Sequence, residues 1–122
     1  MKRDWDTMRS VLLEVESMTR EKAFNFEYRA PIASDDPEAI RAVHAFMLED
    51  HGYLKGIRAP TNGDDALLSP ELTMAGADLL DSIRSQTVWD KMKEVAKARG
   101  VAIGFDSLAG LGKIAIAALL EN

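Results

Sequence analysis

Apolar residues in this chain change period along its length, recurring every three to four residues in some stretches and every two in others. That change of period predicts both helices and strands in the one chain. Trp5, Met8, Leu12, Val15 and Met18 step by three and four, with Val11 widening the stripe, so residues 4–18 read as a helix with one buried face. Phe24, Phe26 and Tyr28 then alternate with polar neighbours, which predicts a short half-buried strand within residues 22–28. The expected class is mainly α with a small β component, α+β.

Local grammar places the later elements. Residues 30–33 read as turn. Asp36 followed by Pro37 is a helix start, because the carboxylate can accept an unpaired amide hydrogen bond and proline suits the first helical position. This helix should run to about Asp50, bury Ile40, Val43, Phe46 and Met47, and end at Gly52. Residues 53–59 and 66–68 read as two strands of a hairpin around Asn62-Gly63. Thr73 caps a helix to Ile83 with Leu72, Ala75, Leu79, Leu80 and Ile83 inward; its Gly76, which costs about 1 kcal/mol against Ala, is expected to permit a close helix crossing. Thr87 and Asp90 resemble a capping box for a helix that ends at Gly100. A last helix within residues 105–121, with Asp106 as its cap, is apolar almost all round. It must be covered by its own domain or by a second copy, so a homodimer through this helix is one expectation.

Composition limits the chemistry. The 122 residues suit one domain, 1–122. Fifteen Lys and Arg against 20 Asp and Glu leave a formal charge of -5, which argues against tight nonspecific binding to nucleic acid or an anionic membrane. Cysteine is absent, which removes disulfides, thiolate ligands and thiol nucleophiles. Neither His44 nor His51 lies in a catalytic or metal-binding motif, and Gly112-Lys113 lacks the hydroxyl residue that a P-loop needs. The longest apolar run, residues 114–120, is far short of the roughly 20 needed to span a bilayer, and the N-terminus lacks the apolar stretch of a secretory signal. A cytoplasmic protein without enzymatic activity, cofactor or metal is expected.

Several segments carry a family resemblance: the opening Met1-Lys2-Arg3-Asp4-Trp5-Asp6; His44 with Glu49-x-x-Gly52-Tyr53-Leu54; Leu72-Thr73-x-x-Gly76-x-x-Leu79-Leu80; and Ile83-Arg84-x-x-Thr87-Val88-Trp89-x-x-Met92-Lys93. In this order they resemble the domain of unknown function 2513 family of small bacterial and prophage proteins. The resemblance implies a winged-helix-like core over residues 1–83 and a C-terminal helical extension over 87–122. It makes residues 36–50 the recognition helix, 53–68 the wing and 73–83 the helix after it. Residues 19–35 depart from a standard helix-turn-helix, since an aromatic strand pattern and Pro31 stand where its first short helix belongs.

Charge then divides two readings of function. Recognition helices meet bases with their N-terminal residues, yet here those are Asp35, Asp36 and Glu38, beside Asp64 and Asp65 at the wing tip. These five acids are the candidate contacts for a protein partner of a regulatory or phage-associated adaptor. Arg41, His44, Lys55 and Arg58 form the candidate edge for duplex DNA under the alternative reading, a transcriptional regulator.

Overall fold

The computed structural model describes residues 2–121. The chain divides into two compact units, Met1–Asp78 and Leu79–Asn122. The first is α+β and the second helical.

In the first unit, helix α1 (Trp5–Ser17) buries Trp5, Met8, Val11, Leu12 and Val15. Asp4 starts it, its carboxylate accepting from the Asp6 and Thr7 amides at 3.0 and 3.5 Å. Met18, the last residue of the expected stripe, lies beyond the helix in extended backbone.

The strand expected within residues 22–28 is instead mostly helical. Thr19 Oγ1 accepts from the Lys22 amide at 3.1 Å and starts a short helix, α2 (Arg20–Phe24), which leaves Phe24 75 % exposed. The strand β1 comes later, at Glu27–Pro31, and points Tyr28 and Ala30 inward. Three alternating rings were a weak signal against a capped Arg-Glu-Lys-Ala run of ordinary helix formers. Residues 30 and 31, expected in a turn, complete the strand.

Helix α3 (Pro37–Asp50) begins as expected, with the Asp36 carboxylate accepting from the Ala39 amide at 2.9 Å. Its end is a Schellman arrangement: the Tyr53 amide donates to the Leu48 carbonyl and the Gly52 amide to that of Glu49, at 2.9 and 3.0 Å. The buried face differs from the expected one. Ala39, Ala42, Ala45, Phe46, Leu48 and His44 are inside, whereas Ile40, Val43 and Met47 are only half covered. α3 packs on both α1 and β1, and small alanines let the backbones approach while the larger side chains border the contact.

Strands β2 (Leu54–Arg58) and β3 (Asp64–Leu72) form the expected antiparallel hairpin, and β3 lies between β1 and β2 in one sheet. Tyr28 and Arg58 flank Leu67 from either side of β3. The β2–β3 register slips at Gly56, where an added Cβ would stand 2.5 Å from the Leu68 carbonyl oxygen. Helix α4 (Met74–Ile83) starts at Thr73, whose hydroxyl donates to the Gly52 carbonyl at 2.6 Å and accepts from the Gly76 amide at 2.9 Å. The expected helix crossing at Gly76 is in fact a backbone approach. A Cβ there would lie 1.9 Å from the Tyr53 carbonyl oxygen. Ala75, expected inside, is exposed.

In the second unit, Leu79, Leu80 and Ile83 are buried. Helix α5 (Gln86–Arg99) is capped by Ser85 rather than Thr87, with Ser85 Oγ accepting from the Val88 amide at 3.3 Å. It buries Trp89, Met92 and Ala96 and ends at left-handed Gly100. Helix α6 (Leu108–Leu120) packs against α5 through Leu108, Leu111, Gly112 and Ala115. Asp106 is not its cap: the flanking residue is Ser107, whose hydroxyl instead accepts from the Gly104 amide at 2.9 Å. Leu120 and Ile116 remain exposed.

Candidate interaction surface

Most of the charges singled out in the sequence are engaged within the fold, though among the described residues only Arg58 and Asp65 pair with each other across the two sets. Arg58, at the end of β2, is the hub. Its guanidinium donates to Asp65 through Nη2 at 2.5 Å and Nε at 3.4 Å, and through Nη1 to Glu49 at 3.2 Å and Asp50 at 3.0 Å. It also lies over the Phe46 ring, 4.6 Å from its centroid. Asp65, then the other carboxylates, hold Arg58 charged more firmly than a free guanidinium, and Arg58 in turn holds the Asp65 carboxyl below the usual carboxylate range.

Arg41 is engaged as well. Its Nε and Nη2 approach Glu14 at 3.3 and 3.2 Å, while Nη1 donates to the Ser10 hydroxyl at 3.0 Å. Glu14 also accepts from the Tyr28 hydroxyl at 2.5 Å. Burial first, and this bond second, push the Tyr28 hydroxyl well above its ordinary titration range. Lys55 sits 3.6 Å from Glu71, both on the exposed face of the hairpin, where such a pair contributes about 0–1 kcal/mol.

His44 is not a surface contact. It is 1 % exposed, its Nε2 accepts from the Asp4 amide at 2.9 Å, and its Nδ1 lies 2.7 Å from the Ile40 carbonyl. These partners assign the ring proton to Nδ1 and tie the start of α1 to α3. His44 therefore leaves the candidate DNA edge and becomes part of the core.

The acids divide similarly. Asp64 pairs through Oδ2 with Arg29 at 2.8 Å, and its Oδ1 is covered with no hydrogen-bond partner among the described residues. Arg29 also pairs with Glu27 at 2.9 Å. Asp65 belongs to Arg58, and Asp36 is occupied in capping; the Ala39 amide is the main cause holding its carboxyl below the usual range. Asp35 and Glu38 remain exposed at the start of α3. Sequence reasoning missed the pairings with Glu14, Arg29, Glu49 and Asp50, because ion pairs between separate elements leave no spacing to read.

Beside the Arg58 hub lies a groove of about 350 Å³. Pro31 and Ile32 form one wall, Val43, Phe46 and Met47 the other, and Asp50, Arg58 and Asp65 line its polar side. Val43 and Met47, half covered on α3 and expected in the core, are therefore groove wall.

Comparison with known proteins bears on what this surface belongs to. A family model described as a hypothetical protein, DUF2513, matches residues 2–102. The chain belongs to the DUF2513 family. An uncharacterized protein of Haemophilus influenzae (strain ATCC 51907 / DSM 11121 / KW20 / Rd) is 30% identical over 125 residues, covering 98% of this DUF2513 chain and 99% of the relative. No solved structure matches the chain. The family match ends before α6, whereas the alignment with the Haemophilus protein takes in nearly the whole chain. No helix among the described residues is long and apolar enough to cross a membrane.

Proposed function

We propose that this DUF2513 protein is a non-catalytic, winged-helix-like module that binds a protein partner. The winged-helix description is supported by α3 running into the β2–β3 hairpin, with β3 central in a three-stranded sheet. The observation that carries the protein-binding reading is the engagement of the candidate DNA edge. Arg41 and Arg58 each contact carboxylates, Lys55 lies beside Glu71, and His44 is interior. A phosphate approaching that edge would have to displace carboxylates and would meet their charge, whereas a DNA-reading surface gains affinity by neutralising phosphates with accessible cations.

The test is a pair of measurements on the full chain. Fluorescence anisotropy with labelled duplexes should show no binding at physiological salt. Affinity capture from native host cells, with nuclease treatment in parallel, should retain a protein partner after the nucleic acid is gone. Duplex binding that falls steeply with salt and is abolished by Arg41→Ala with Lys55→Ala would establish the DNA reading instead.

A further inference from the structure

We infer that the groove between the end of β1 and α3 receives a segment of a partner protein that presents one bulky apolar side chain beside a lysine or arginine. This inference rests on the protein-binding reading and names the chemistry of the partner.

Three observations converge on the groove. Its walls are apolar side chains left uncovered on both sides: Ile32 is 69 % exposed, and Val43 and Met47 are half covered, although all three would be suited to a core. Its volume, about 350 Å³, is at the small end of the roughly 300–1,000 Å³ typical of ligand sites, a size suited to one large side chain rather than a whole helix. Met47 adds an adaptable wall, since an unbranched thioether can follow the shape of what enters.

Charge selects the occupant. Two carboxylates, Asp50 and Asp65, line the groove with the one Arg58 guanidinium, so its polar side has an excess of negative charge. The Asp50 side chain is 62% exposed and can meet a second cation while still bonded to Arg58. A cationic neighbour of the docked apolar side chain would complete the balance, and an acidic segment or a phosphate would oppose it. Bidentate contact with Asp65 and stacking on Phe46 hold Arg58 in place, so the groove floor needs little reordering on binding.

The experiment follows the methyl groups of Ile32, Val43 and Met47 by NMR in the full chain. Three short peptides serve as probes: Gly-Lys-Lys-Trp-Lys-Lys-Gly, the same peptide with Glu for Lys, and the same with Ser for Trp. The lysine–tryptophan peptide should shift the three methyl signals, and the other two should not. Ile32→Ser and Asp50→Lys should each weaken that binding by about tenfold. Both positions are exposed, but Asp50 is also bonded to Arg58, so thermal unfolding of each variant against the parent is measured alongside binding to show that the fold is kept. Binding of the glutamate peptide with equal strength, absence of methyl shifts, or indifference to both variants would overturn the inference. Self-association that alone moves these methyls would assign the groove to a second copy and overturn it too. A nuclease-resistant partner that binds Ile32→Ser as well as the parent would remove the groove but leave the protein-binding reading; a partner lost to nuclease would remove the reading itself.

Discussion

The two units use charge differently. Apart from Arg29 with Glu27 inside β1, the ion pairs described in Met1–Asp78 join separate elements: Glu14 of α1 to Arg41 of α3, Arg29 of β1 to Asp64 of β3, and Arg58 of β2 to acids of both α3 and β3. In Leu79–Asn122 the pairs Arg84 with Asp81, Lys91 with Glu94 and Lys93 with Asp90 each join residues three apart. A pair within one helical turn supports that helix but says nothing about which element packs beside it. A pair across elements specifies an arrangement, so charge helps to define the first unit, whereas apolar packing of α5 and α6 defines the second.

The sharpest test of that contrast is in the second unit. Trp89 is fully buried, and Trp89→Ala should cost about 3–5 kcal/mol in urea unfolding, because it removes both apolar burial and the packing around it. A cost below 1 kcal/mol would mean that the second unit does not depend on this core.

Next in size is Arg58→Met. It leaves Glu49, Asp50 and Asp65 facing one another without their shared cation and should cost about 1–3 kcal/mol, because these partly covered groups then lack a partner. Lys91→Gln, which breaks a pair within one helix, should cost less than about 0.5 kcal/mol. Equal costs for the two changes would erase the distinction between the units.

The pH profile sharpens it further. Asp65 titrates below its unfolded value when folded, so its contribution is present above the ordinary carboxylate range and is lost as the pH falls through about 4 and below. Asp65→Asn should flatten part of that acid limb. Tyr28 behaves in the opposite sense. Its folded titration lies above its unfolded one, so its contribution is complete below a pH of about 10 and is lost as the pH rises beyond it. Thermal unfolding of Tyr28→Phe should therefore show a flatter alkaline decline than the parent. An unchanged alkaline limb would show that ionisation of the buried Tyr28 is not linked to folding.

Much of the fold was legible where the deciding interaction is local. The α1 stripe, the Asp36 cap with Pro37, the Thr73 cap, the hairpin and the Gly100 stop all depend on residues within about one helical turn or one strand crossing. The aromatic alternation misled because Phe24 and Phe26 straddle the end of α2, where the Thr19 cap prevails. Asp106 and Thr87 misled because neighbouring serines took the terminal positions.

The candidate surface was legible only as a set of charged residues. Which of them face each other depends on β1 pairing with β3 rather than β2, which brings Arg29 to Asp64, and on α3 lying across β1, which turns Val43 and Met47 into groove wall. The sequence by itself determined the α+β class, most helix starts and stops, and the chemical types available at the surface, because propensity, capping and turn geometry act over a few residues. Tertiary structure alone decided that His44 is buried, that Arg58 is shared among three acids, and that an apolar groove remains beside it. The bond of His44 to the Asp4 amide spans 40 residues, and the Arg58 pairs, though 7, 8 and 9 residues apart, join the end of α3 to both strands of the hairpin, so no pattern within one element encodes them.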